Sequence, residues 1–340
     1  MRSFLFITIF CLLSLYRAGM AQFLTKYPDI PRIDVHIHAD NNYESITNYL
    51  AVRDKLIADQ KIDLALWINL NGEKAMDTIN EVSKGRFLTC ISDMRPQRGL
   101  THKPKDMETW LKKGAAGYKI WQGPYYRVLK EGESGIKYFD DPAHEKVLAA
   151  MEKVGMPGAS VHIADPNQVF GNRGKWLTDP VEYWREIIGM ERVLQRHPKL
   201  VIVAAHCCWL SCQDAQIDFL RYLMSTYPNF YVDLSATYQY YNLVNYDNLR
   251  DFMITYADRI VYGTDQGKLG KSQIDNFCGG YSRTFRILET DEDVEGGAFA
   301  SKGCKGLNLP REVLEKIYYK NALKIYPGLA DKMKKLGYKI

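Results

Sequence analysis

The chain has 340 residues, of which 46% are hydrophobic, 25% charged and 12% aromatic. Those are the proportions of an ordinary folded domain with a substantial core, and they exclude a disordered or fibrous chain. The formal charge of +5, from 45 basic and 40 acidic side chains, is too small a bias over this length to argue for nucleic acid or a membrane surface as partner.

Residues Met1 to Ala21 read as a signal peptide: Arg2 is positive, Phe4 to Leu15 is a short apolar run, and Gly19-Met20-Ala21 places small residues where a signal peptidase cuts. The run is too short to span a bilayer as a stable helix, and no later segment is apolar enough to do so. The expectation is an exported protein, periplasmic or secreted, whose mature domain covers 22–340. Removing Arg2 and Arg17 takes the formal charge from +5 to +3. Six cysteines follow the leader, with no CxxC zinc pair among them. Cys90 and Cys207 lie in or beside apolar runs, where a small buried hydrophobe is expected. Cys278 and Cys304 flank one loop that an oxidising compartment could bridge.

In chain order, eight short apolar runs predict strands: Arg32–His38, Ile62–Asn69, Arg86–Asp93, Ala116–Trp121, Ala159–Ile163, Leu200–His206, Phe230–Ala236 and Arg259–Asp265. Amphipathic stretches lie between them, such as Met107–Lys113 ended by Gly114, Ala143–Val154 ended by Gly155, Asp214–Tyr227 and Pro310–Tyr326. Eight βα units favour a single-domain (β/α)8 TIM barrel over an open doubly wound sheet, and no GxGxxG or Walker-type loop follows an early strand. Three long connections, Gln122–Asp141, Asp165–Thr178 and Gln266–Leu309, belong on the C-terminal face, where barrels carry their sites.

Chemistry-bearing residues gather at the ends of these runs. In Asp34-Val35-His36-Ile37-His38, strand alternation points both imidazoles into the barrel mouth and sends Ile33, Val35 and Ile37 toward the helices. His162, His206 and Asp265 end three further runs, so all five converge on one face. Neutral imidazoles with a carboxylate suit zinc and leave a position for a water that the metal activates. A lone strand histidine is as often a hydrogen-bonded core residue. An HxH pair together with three more strand-end ligands is much harder to obtain from packing.

These residues resemble the amidohydrolase superfamily, in particular its amidohydrolase-related group with lactonases and aminocarboxymuconate semialdehyde decarboxylase-like enzymes. The resemblance spans nearly the whole mature chain and rests on IDVHIH (Ile33–His38), SVHIA (Ser160–Ala164), IVAAH (Ile202–His206), YPNFYVDLS (Tyr227–Ser235), DRIVYGTD (Asp258–Asp265) and NALKIYPGL (Asn321–Leu329). It implies His36, His38, His162 and Asp265 as ligands of one divalent metal, most simply Zn2+. It implies His206 as the group that polarises substrate or shuttles a proton, and Asp265 as the acceptor of the water's proton. Lys119, ending the fourth run, matches the position where binuclear members carry a carboxylated lysine bridging two ions. A substrate contact by Lys119 or a salt bridge to Asp93 are the other readings, and Trp121 beside it is a candidate substrate contact.

Around the expected mouth lie Trp121, Tyr125, Tyr126, Phe170, Trp176, Trp209, Tyr238, Tyr240 and Tyr241, able to stack on a sugar or an aromatic ring, or simply to pack loops. Arg127, Arg173, Lys268 and Lys271 could meet a carboxylate or stay solvated. The expected activity is metal-dependent hydrolysis of a lactone, amide or similar activated carbonyl, with a sugar-derived lactone as one example. A metal-dependent decarboxylase or hydratase acting on an unsaturated or aromatic carboxylate stays open, as does a non-catalytic barrel that binds a carbohydrate or anion. The expected partner is a small-molecule substrate, and whether subunits pair as a homo-oligomer stays open.

Overall fold

Each apolar run of the sequence becomes a strand in one parallel sheet. The computed structural model describes residues 23–39, 42–94, 99–123, 135–136, 138–166, 180–296 and 302–340; the expected signal segment lies outside them. The strands are β1 (Arg32–Ile37), β2 (Leu64–Asn69), β3 (Phe87–Met94), β4 (Ala115–Trp121), β5 (Ala159–His162), β6 (Ile202–Ala204), β7 (Phe230–Asp233) and β8 (Ile260–Val261), paired in that order. Beyond β8 the chain returns to β1. Val35 N–H donates to Tyr262 O at 3.0 Å, Asp265 N–H to His36 O at 2.8 Å and His38 N–H to Gln266 O at 2.7 Å, bringing the ends of the (β/α)8 barrel together.

The helices between the strands are α1 (Tyr43–Gln60), α2 (Met76–Val82), α3 (Met107–Lys112), α4 (Glu145–Lys153), α5 (Pro180–Arg196), α6 (Asp214–Thr226) and α7 (Tyr246–Thr255). Gly114 (φ 96°) and Gly155 (φ 64°) follow α3 and α4 in the left-handed conformation expected of them. The segment Gln266–Leu309, read from sequence as a long connection, instead contains α8 (Ile274–Glu289) and a short hairpin of β9 (Asp293–Val294) with β10 (Cys304–Lys305). Gly279 and Gly280 lower the helical signal there, but Phe277, Cys278, Tyr281, Phe285 and Leu288 still form a buried stripe. The predicted helix Pro310–Tyr326 is divided into α9 (Arg311–Glu315), a π turn (Lys316–Lys320) and α10 (Asn321–Ile325), followed by α11 (Leu329–Lys335). The π turn presents the Ile317 carbonyl to Tyr262 N–H at 2.9 Å.

Two apolar clusters hold the barrel. The larger packs strands on helices. In the smaller, Ile33, Val35, Ala65, Cys90, Ala116, Val203 and Val261 come from six strands around the ring and share a cluster with Ala322, Ile325, Tyr326, Leu329 and Met333. Residues from so many strands meet through the barrel interior, so the C-terminal helices seal its lower end. Gly158 (φ 47°) precedes β5 because a Cβ there would lie 2.4 Å from the Tyr326 ring.

This arrangement corrects the alternation expected for β1. Ile33 and Val35 belong to the interior cluster, and Ile37 alone packs on the helix side. Asp34 points outward, accepting from Thr264 Oγ1 at 2.5 Å and Tyr281 OH at 2.7 Å. A register shift against β2 between Asp34 and Ile37 restores the inward direction for His36 and His38. On the helix side, Arg32 and Glu289 form a fully buried ion pair at 2.8 Å, with Thr25 and Tyr318 also bonded to Glu289.

The six described cysteines are free, so the bridge considered for Cys278 and Cys304 is not formed; the Cys278 thiol lies 3.8 Å from Val52 O. Cys90 and Cys207 are buried, as expected. Among the described residues no helix is long and apolar enough to cross a membrane.

Candidate metal centre

His36 and His38 reach the C-terminal mouth from the end of β1 and meet Asp265, which follows β8. His36 Nε2 lies 3.3 Å and His38 Nε2 3.4 Å from Asp265 Oδ1. The far side of each ring is held. His36 Nδ1 is 2.8 Å from Asp233 Oδ2 at the end of β7, and His38 Nδ1 is 3.1 Å from Asn71 Oδ1. A proton on each Nδ1 satisfies those acceptors and leaves both Nε2 lone pairs free. His36 Nε2 is buried and has no hydrogen-bond partner. Ligand atoms of His36, His38 and Asp265 all lie within 4.8 Å of one another. Two imidazole lone pairs, an ionised carboxylate and a carboxylate behind one ring form a donor set that fits a divalent cation.

The electrostatics favour a cation at His38 and Asp265, while at His36 a proton competes for the same lone pair. Burial, then the His36 charge, pushes the His38 pKa down to about 3, so this ring is neutral. Burial and Lys119 work against protonation of His36, yet Asp233 and Asp265 leave its pKa raised. Burial opposes ionisation of Asp265, but His36, His206 and His38 hold it well below the usual carboxylate range.

His162 and His206 form a neighbouring pair. His206 Nε2 is 2.9 Å from His162 Nδ1, His206 Nδ1 is 2.8 Å from Ser235 O, and His162 Nε2 is 3.2 Å from Ala164 O. Burial depresses both rings, His206 to about 4 and His162 well below its ordinary value, so both are neutral. Two neutral imidazoles carry two N–H protons for three contacts. One of the three contacts is therefore left without a proton. His162 is one ring removed from the trio of His36, His38 and Asp265 and is not grouped with them.

Asp233 is the residue that sequence reasoning missed. It joins the two halves of the site: Oδ2 faces His36, while Oδ1 accepts from His206 N–H and Ser235 N–H, both at 3.0 Å, and from the Ser235 hydroxyl. Burial opposes its charge, but His36 and His206 hold its pKa well below the usual range. Its signal was present, a carboxylate ending a predicted strand in the same position as the histidines.

Backbone strain gathers at the same mouth. Ala164, His206, Cys207, Cys208, Trp209, Ala236 and Asp265, after β5 to β8, all have φ between 52° and 65°. For residues with a Cβ this conformation costs about 1–2 kcal/mol each, and such strain persists where the surroundings over-determine it. The left-handed turn His206–Trp209 stacks the Trp209 ring on His206 with centroids 4.4 Å apart, and it takes His206 out of the ladder, so β6 ends at Ala204.

Lys119 and Trp121 project from β4. Lys119 is fully buried, with its Nζ 3.5 Å from Ser160 Oγ, and burial lowers its pKa to about 8. The bridge considered to Asp93 is not formed, because that carboxylate accepts from Thr101 and Tyr118. Trp121 packs on His162 with centroids 5.2 Å apart. Trp209, Tyr238, Tyr240 and Tyr241 are buried, so these rings pack the loops instead of offering an open stacking surface. Lys268 and Lys271 are exposed. Tyr125, Tyr126, Arg127, Phe170, Arg173 and Trp176 lie outside the described residues.

With this geometry in place, the comparison that decides the family is a match to the Amidohydrolase family model over residues 110–328. The chain belongs to the amidohydrolase family. It is therefore an enzyme of the amidohydrolase superfamily, in general terms a metal-dependent hydrolase, and the family implies a divalent metal. Among solved structures it is similar to amidohydrolase 2 from Bifidobacterium longum subsp. infantis, at 14% identity over 75% of this chain and 98% of that one, with a TM-score of 0.43. It is also similar to β-aspartyl dipeptidase from Fervidobacterium islandicum AW-1, at 13% identity over 87% of this chain and 73% of that one, with a TM-score of 0.43. Scores at this level carry nothing about substrate. No curated protein matches the chain.

Proposed function

We propose that this amidohydrolase opens a lactone, amide or similar activated carbonyl at a single zinc ion held by His36, His38 and Asp265, with His162 as a fourth ligand. The observation that carries the reading is the approach of two imidazole Nε2 atoms to one Asp265 oxygen, at 3.3 and 3.4 Å, with Asp233 behind His36. When bound, a divalent cation supplies Lewis acidity and an activated water near neutral pH. The chain supplies the rest. Asp265, held ionised, accepts a proton at the carboxylate oxygen that the cation leaves free. His206, held neutral, moves a proton at Nε2 and passes it to or from His162 across 2.9 Å. The buried Lys119 ammonium stabilises negative charge that develops on a substrate oxygen, strengthened by its dry surroundings.

The test is acid release from a panel of sugar lactones and N-acyl compounds by zinc-loaded and chelator-treated protein, and by His206→Ala. Release that needs the metal and is lost in His206→Ala is expected. Carbon dioxide from an aromatic carboxylate with no lactone or amide opened, or a metal content far below one per chain after zinc addition, overturns the reading.

A further inference from the structure

The mouth of the site continues into a groove of about 760 Å³, with Asp265 and Gln266 on one wall and Gly279, Gly280 and Arg283 of α8 on the other. The two glycines sit inside a 16-residue helix, where glycine is disfavoured relative to alanine. Gly280 has only a soft packing reason, since a Cβ there would lie 2.9 Å from Gln266 Nε2, the movable end of a flexible side chain. Gly279 has none: its φ is not in the left-handed region, and an added Cβ would meet nothing within 4 Å. What its missing side chain preserves is the width of the groove.

Among the described residues that line this groove, Arg283 is the one cation. Its Nε donates to Glu295 O at 2.8 Å, while Nη2 is buried and has no acceptor among the described residues. Among the described residues it makes no ion pair, and the Glu295 carboxylate is engaged by Arg286 at 2.8 and 2.9 Å. Asp275, also on the groove, is 88% exposed and faces Lys55 at 3.6 Å. A buried guanidinium donor without an acceptor carries a desolvation penalty, which a ligand anion would relieve, and a carboxylate matches its fork geometry.

We propose that this groove is the subsite for the non-reacting arm of the substrate, that the arm ends in a carboxylate held by Arg283, and that Gly279 sets the girth it admits. The proposal rests on the reading of the Asp265 centre as the hydrolytic site. It assigns specificity to a helix face that makes no contribution to the metal centre itself.

The probes are straight-chain α,ω-dicarboxylates from succinate to adipate and their monoamides, titrated calorimetrically into the zinc-loaded full chain. Wild-type protein is expected to bind one dicarboxylate at least about 10-fold tighter than its monoamide, the size of one charge-assisted contact. Arg283→Gln should erase that preference with an unchanged Tm, and Arg283→Lys should retain part of it. Gly279→Ala should raise the Tm while weakening both probes, and Gly279→Leu should abolish binding of both. Dicarboxylates binding no tighter than monoamides in wild type, or a preference that survives in Arg283→Gln, overturns the proposal. The readout needs no turnover. A protein that opens no lactone or amide yet shows the Arg283-dependent preference keeps the subsite and loses the hydrolytic reading, and turnover without that preference does the reverse.

Discussion

Replacing Lys119 by methionine separates stability from function in this barrel. The wild-type side chain is fully buried, and among the described residues its Nζ has a single hydrogen bond, 3.5 Å from Ser160 Oγ. Burial lowers its pKa from 10.5 to about 8. Below pH 8 the folded state therefore holds an ammonium that the unfolded chain solvates more easily, and the difference amounts to about 3 kcal/mol of lost stability. The sign follows from a base whose folded pKa is depressed: the loss is complete below pH 8 and recedes between 8 and 10.5, as folded Lys119 releases its proton before the unfolded one does. Methionine keeps the length and removes the charge. Urea unfolding in chelator, so that cation binding does not enter, should find Lys119→Met more stable by about 3 kcal/mol at pH 7 and by under about 1 kcal/mol at pH 10. The same variant should lose turnover, since a costly buried charge at the site is retained for its work on substrate. Equal stability at pH 7, or a gap independent of pH, would refute the argument.

Three further outcomes are expected. Asp233→Asn removes the carboxylate that holds the His36 Nδ1 proton at 2.8 Å; zinc affinity, by chelator competition, should fall about 10–100-fold, and an unchanged affinity would remove Asp233 from the site. Glu289→Ala leaves Arg32 buried without its 2.8 Å partner and should lower unfolding free energy by about 3–5 kcal/mol, whereas a loss below about 1 kcal/mol would show that water reaches the guanidinium. Because the six described cysteines are free, dithiothreitol should leave the Tm of the purified protein unchanged, and a drop of several degrees would reveal a disulfide.

Much of the architecture was legible because βα repetition writes itself into hydrophobic period. All eight strands fall inside or against their predicted runs, since a strand buried on both faces needs a continuous apolar stretch. The failures have local causes. Two glycines hid α8, although its buried stripe from Phe277 to Leu288 is helical. The register shift in β1 reversed the faces of Ile33, Val35 and Asp34, because alternation counts residues and takes no account of a bulge. Asp233 was passed over because an aspartate ending a strand looks like an ordinary turn residue until the barrel places it 2.8 Å from His36.

The sequence alone determined the barrel and the set of strand-end groups that could bind a metal, because both are properties of periodicity and residue type. Tertiary structure alone decided which of those groups meet. It joined His36 and His38 to Asp265, paired His162 with His206, used Asp93 for Thr101 and Tyr118, and left Lys119 without a salt bridge among the described residues. Those choices depend on where each strand ends and how the next turn bends, down to the left-handed residues from His206 to Trp209. They are settled by packing between residues far apart in the chain, where local pattern has no reach.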